Sequence, residues 1–129
     1  MRPEDKLQKS VVPLLKMAGL VFTATANGAF LQGNATQRAI RGARMKAHGV
    51  SNGVPDLLIF SRGAVQGGSE GFGPPLALEL KAGKNRPTPD QVRWHNDLRR
   101  CGWCVEVCRS VDEVLEVLRT CYPSKFPAA

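Results

Sequence analysis

"LALELKAGKNRPTPDQVRWHNDLRRCGWCVEVCRS", residues 76–110, decides the fold. Its opening "LALELKA" reads as a strand, so Leu76, Leu78 and Leu80 face apolar packing while Ala77, Glu79 and Lys81 share the other side. Thr88, Pro89 and Gln91 then form a capping box with proline at the first helical position, and Gly102 stops the helix they open. "WCVEVCR" is the next strand. Ser110 and Glu113 repeat the capping pattern and place Val114, Leu115, Val117 and Leu118 on a core-facing stripe.

Working outward, "DLLIF" (56–60) reads as a strand of the fully buried kind, without alternation, and "SRGAVQGGSEGFGPP" as a flexible Gly/Pro-rich loop between it and the 76–82 strand. "LVFTATA" (20–26) is β-rich and runs into Asn27-Gly28, a hairpin signal. The segment from Pro3 to Gly19 has Leu7, Val11, Leu14 and Leu15 at helical spacing, with Pro13 expected to kink or interrupt it. A short basic helix is expected from Thr36 to Ala47. The whole reads as one α/β domain over residues 1–121, a mixed central sheet flanked by helices, with "YPSKFPAA" (122–129) as a loose tail. At 129 residues and 43% hydrophobic content, one core is what this length sustains.

Charge narrows the function. Lys and Arg number 18 against 11 Asp and Glu, and between Lys6 and Pro55 there is no acid at all. Arg38, Arg41, Arg44 and Lys46 concentrate the excess, as a phosphate backbone selects for; a solvated, solubilising face is the plainer reading. No apolar stretch is long enough for a bilayer-spanning helix, and the charged start has no apolar segment behind it to serve as a signal peptide, so a cytoplasmic location is expected. The four cysteines, crowded into the last third, read as reduced, buried thiols. "CGWC" (101–104) follows a helix and enters a strand, the reverse of what a redox pair needs, and offers too few partners for zinc. His48 reads as exposed, and His95 as a satisfied core histidine.

A strand with Glu79 and Lys81 on one face is costly to bury without partners. If the 56–60 strand is its hairpin neighbour, Asp56 reaches the same place. Two carboxylates and the backbone carbonyl of Leu80 are hard oxygen ligands suited to Mg²⁺ or Mn²⁺, and an adjacent ammonium suits attack on a phosphodiester. The alternative is a structural Glu-Lys pair, with Asp56 bonded to its own turn after Gly53-Val54-Pro55.

"GVPDLLIF", "ALELKAGKNRPTPDQVRWHNDLRRCGWCVEVCRSVDEVLEVL" and the early "PEDKLQ" resemble the VRR-NUC family of PD-(D/E)xK nucleases across residues 4–118. The resemblance implies a restriction-endonuclease-like fold and metal-dependent hydrolysis of DNA. It matches Asp56 and Glu79 to the metal-binding acids, Lys81 to the catalytic lysine, Gln91 to the family's glutamine and Glu4 to an acid of the first helix that completes the metal environment. Gln91 can equally be a cap, Glu4 equally an acid at a positive helix end; Gln8, one turn on, shares that face. Arg38, Arg41, Arg44, Lys46, Lys84 and Arg86 are the expected phosphate contacts. The small stand-alone members, from phage and bacteria, imply a homodimer acting on four-way (Holliday) junctions, with flap or duplex cleavage, or plain nucleic-acid binding, as alternatives.

Overall fold

A computed structural model describes residues 2–25, 33–66 and 68–127. The chain forms α1 (Pro3–Met17), β1 (Phe22–Ala24), α2 (Ala35–Ala47), β2 (Leu57–Ile59), β3 (Leu76–Leu80), α3 (Pro89–Arg100), β4 (Cys104–Cys108) and α4 (Val111–Cys121). The strands lie in the order β1-β2-β3-β4, antiparallel except for β3 and β4, which run parallel. A parallel neighbour requires a crossover, and α3 supplies it. No helix among the described residues is long and apolar enough to cross a membrane.

The register divides the sheet into two faces. Leu57, Ile59, Leu76, Leu78, Leu80 and Cys108 meet Val11 and Leu15 of α1 and Val114 and Leu118 of α4 in one continuous core. Each such aliphatic chain contributes about 1.5–3 kcal/mol by leaving water. Ala77 and Glu79 look the other way, toward α3, where His95 is the buried residue. β2 does alternate, contrary to the reading of "DLLIF": Leu57 and Ile59 are buried, Leu58 is half-buried, and Phe60 is exposed against the edge of Trp103, ring centroids 5.6 Å apart.

Four further expectations are corrected. α1 runs unbroken through Pro13, an exposed position where water can satisfy the carbonyl that proline leaves without a donor. The Gly/Pro-rich loop between β2 and β3 is pinned: Gly63 N–H bonds Pro74 O, Gly71 and Gly73 N–H both bond Gly63 O, and Arg62 donates to the carbonyls of Phe72 and Gly73. Residue 122 opens no loose tail, since Tyr122 is fully buried and its hydroxyl donates to Ser61 O at 2.8 Å, with Phe126 packed on the same core. Of the cysteines only Cys108 is buried; Cys101 is exposed, and all four are free. The Asn27-Gly28 signal lies outside the described residues.

α2 begins on a complete capping box, Asn34 with Gln37, and ends beside His48, which is exposed as expected. None of its residues is buried, and only Arg41, Gly42 and Met45 are even partly covered. Ile40 is 57% exposed. Nothing in the core requires this helix, so its sequence is free to serve its cations.

Candidate active site

Antiparallel pairing of Leu57 with Leu78 sets Asp56 opposite Glu79. Beyond Leu57 the ladder stops, and the Asp56 side chain takes over: its Oδ2 accepts the Leu80 N–H at 2.7 Å. The N–H and C=O of one strand residue project to the same side, so the Leu80 carbonyl points toward Asp56 as well. Asp56 is itself anchored, its backbone carbonyl accepting from Thr25 N–H at 3.0 Å. Just upstream, Gly53 holds φ +88°, and a Cβ there would fall 2.7 Å from the backbone carbon of Asp90. Only glycine lets the start of α3 press this close to the segment that carries the acid.

Glu79 is 1% exposed and Lys81 8%. Burial, then the hydrogen bond and negative charge of Asp56, push the Glu79 carboxyl up to about 9, while the Lys81 ammonium pulls the other way. A carboxyl this high is one whose ionised form lacks enough positive charge nearby. α3 approaches from above: Gln91 Nε2 lies 3.5 Å from Glu79 Oε2, and His95 Nε2 lies 3.2 Å from Oε1. Gln91 is a cap as well as a neighbour of Glu79, because its Oε1 accepts from Thr88 N–H at 2.8 Å in the capping box. Burial, with the positive charges of Arg99 and Lys81, lowers the His95 pKa, so the imidazole is neutral at neutral pH.

Glu4 arrives from α1, its Oε1 accepting from Ala82 N–H at 3.4 Å, near enough for its charge to raise Glu79 slightly. Gln8 instead lines a surface recess with Asp5, Lys9, Val12 and Pro13. Among the described residues no three His, Cys, Asp or Glu side chains gather closely enough to hold a metal ion by themselves. Asp56, Glu79 and the Leu80 carbonyl therefore make a sparse, all-oxygen set. Such a set fits a cation that keeps much of its water, as Mg²⁺ does.

Lys84 and Arg86 are exposed on the segment after β3. That segment is held by Arg109, which donates to the carbonyls of Gly83 (2.9 Å) and Asn85 (2.6 Å). Arg38, Arg44 and Lys46 are exposed on α2, and Arg41 is half-buried. Two contacts escaped the sequence reading: that of Arg109 with the segment after β3, and that of His95, read as a satisfied core histidine, with Glu79. Arg109 gave no local signal. His95 did: it follows Gln91 by one helical turn, so a residue matched to the site predicted that its neighbour on the same face would be there too.

The VRR-NUC domain model matches residues 5–112. A solved structure described as a VRR_NUC domain protein is 26% identical, with a TM-score of 0.58, covering 92% of this chain and 87% of its own. No curated protein matches. The mixed sheet with its flanking helices is thus shared with that neighbour, and the family match spans Asp56, Glu79, Lys81 and Gln91 but begins one residue after Glu4. The chain belongs to the VRR-NUC domain family, nucleases of the PD-(D/E)xK type.

Proposed function

We propose that this protein is a Mg²⁺- or Mn²⁺-dependent DNA endonuclease that acts on branched DNA as a homodimer, with four-way junctions as its substrate. The observation that carries the reading is the opposed pair Asp56 and Glu79, with Glu79 held near 9 and Lys81 buried at its side. Acids facing each other in this way serve no core, whereas a divalent cation between them relieves their repulsion. Asp56, Glu79 and the Leu80 carbonyl are the ligands, with Glu4 completing the surroundings. The cation, when bound, supplies Lewis acidity toward water and the scissile phosphate. Lys81 orients the attacking water and offsets charge that builds on the phosphate oxygens. Gln91 holds the Glu79 carboxylate at its second oxygen.

The cations of α2 and the segment after β3 belong to the DNA. Arg38, Arg41, Arg44, Lys46, Lys84 and Arg86 contact phosphates on either side of the scissile bond. Each phosphate contact contributes about 0.9 to the slope of log affinity against log salt. Replacing Arg38 and Arg44 with alanine will flatten that slope by roughly two and weaken binding to every DNA tested. A slope identical to that of the wild type removes α2 from the interface.

A domain of this size offers one site per chain, and symmetric cutting of two strands takes two, which supports the dimer. The test is cleavage of labelled four-way junction, flap, duplex and single-stranded DNA in Mg²⁺, Mn²⁺ or EDTA. Paired cuts confined to the junction and lost in EDTA are expected. A preference for flaps keeps the nuclease and discards the junction. Tight binding without cutting in either metal overturns the catalytic reading.

A further inference from the structure

Glu79 has two oxygens, and α3 treats them differently. Oε1 lies 3.2 Å from His95 Nε2 in a contact where His95 is 4% exposed and Glu79 1%. Water cannot replace that partner. Oε2 meets Gln91 Nε2 only at 3.5 Å, the outer limit of a hydrogen bond, and Gln91 is half-exposed with its other end committed to Thr88. On the α3 side one oxygen is locked and the other is lightly held, and the partner that Glu79 has on the other strand, Asp56, is the second ligand of the proposed cation.

We infer that His95 is a positioning residue that keeps Glu79 Oε1 occupied, so that Glu79 offers a metal ion Oε2 alone and the site favours cations content with one carboxylate oxygen over those that take two. This rests on the metal-dependent reading above. Its consequence is selectivity. Ca²⁺ accepts six to eight oxygens and can take a carboxylate by both at once, while Mg²⁺ keeps a tight octahedron of single oxygens and waters. With one lone pair of Oε1 bonded to imidazole and the ring packed against it, the bidentate mode open to Ca²⁺ is disfavoured. The hydrogen bond also fixes the carboxylate plane, and outer partners of this kind are worth about 10- to 100-fold in metal affinity.

Two substitutions separate the hydrogen bond from the packing. His95→Leu fills the space without a donor, and His95→Gln keeps an amide N–H able to reach Glu79. Free Mn²⁺ followed by electron paramagnetic resonance, with Ca²⁺ as competitor, reads affinity and preference without any DNA. The wild type is expected to bind Mn²⁺ ahead of Ca²⁺. His95→Leu is expected to loosen Mn²⁺ by about 10- to 100-fold and to erase most of the preference, with His95→Gln staying close to wild type. A leucine variant with wild-type Mn²⁺ affinity and wild-type preference overturns the inference and leaves the nuclease standing. A wild type that binds no Mn²⁺ overturns both. Thermal melting accompanies each variant; should the leucine variant not fold, the comparison is read on His95→Met, whose flexible chain fills the site without a donor.

Discussion

Lys81→Met will lower the cleavage rate by roughly 10²–10³-fold while leaving DNA affinity within about twofold of wild type, because preorganised charge at the reacting phosphate is lost and the phosphate-binding surface is not. The lysine stem is buried on the α3 side of β3, beside Glu79, and methionine matches its length. The fold should therefore melt no lower than the wild type. Rates come from single-turnover cleavage, affinity from binding in Ca²⁺ or EDTA. A variant that cuts within tenfold of the wild type would mean that Lys81 only balances the charge of Glu79. Loss of binding alongside loss of cutting would place the ammonium on the DNA instead of at the reaction.

Glu79→Gln should make the metal-free protein more stable, and increasingly so as pH rises. The folded carboxyl titrates near 9 and the unfolded one near 4.5. Below the lower value both states hold the proton, and stability does not depend on this group. Between the two values the unfolded chain has released its proton and the folded chain has not, so each step up in pH favours unfolding. Above about 9 the slope vanishes. The wild type in EDTA should therefore lose melting temperature from pH 5 to pH 9 more steeply than Glu79→Gln, which should melt about 5 °C or more above it at pH 8. Mn²⁺ should recover much of the difference in the wild type and none in the variant. Parallel melting curves across that window would show that Glu79 ionises in the fold without difficulty, and the motive for a cation would weaken.

Much of this architecture is legible in local chemistry. The capping box at Thr88 sits where its helix begins, and Ser110 caps the next with Glu113 turned to Arg109 N–H, because caps act on the few residues around them; the box at Asn34, one residue before α2, was not read. The pairing of Asp56 with Glu79 followed from two strands and the loop between them. What the sequence hid depends on distant partners. The glycines of the 61–75 loop read as slack, yet Gly63 and Gly73 are places where backbone crosses backbone: a Cβ on Gly73 would stand 2.3 Å from Ala64 O. Tyr122 looked peripheral because its partner, Ser61, lies on another part of the chain. His95 was legible as buried, but burial alone does not tell whether a histidine faces leucine or a carboxylate.

The clasp between α4 and the β2–β3 loop also orders events in time. Ribosomes release a chain from its N-terminus, so Asp56, Glu79 and Lys81 emerge well before Cys121, whose carbonyl receives Ala64 N–H, and before Tyr122. A nascent chain halted between Lys81 and Cys121 owns both acids, the lysine and the bonds within the loop that joins their strands, but lacks the two that fasten that loop to the end of α4. Synthesis thus delivers Asp56, Glu79 and Lys81 first and this fastening of the loop to α4 last.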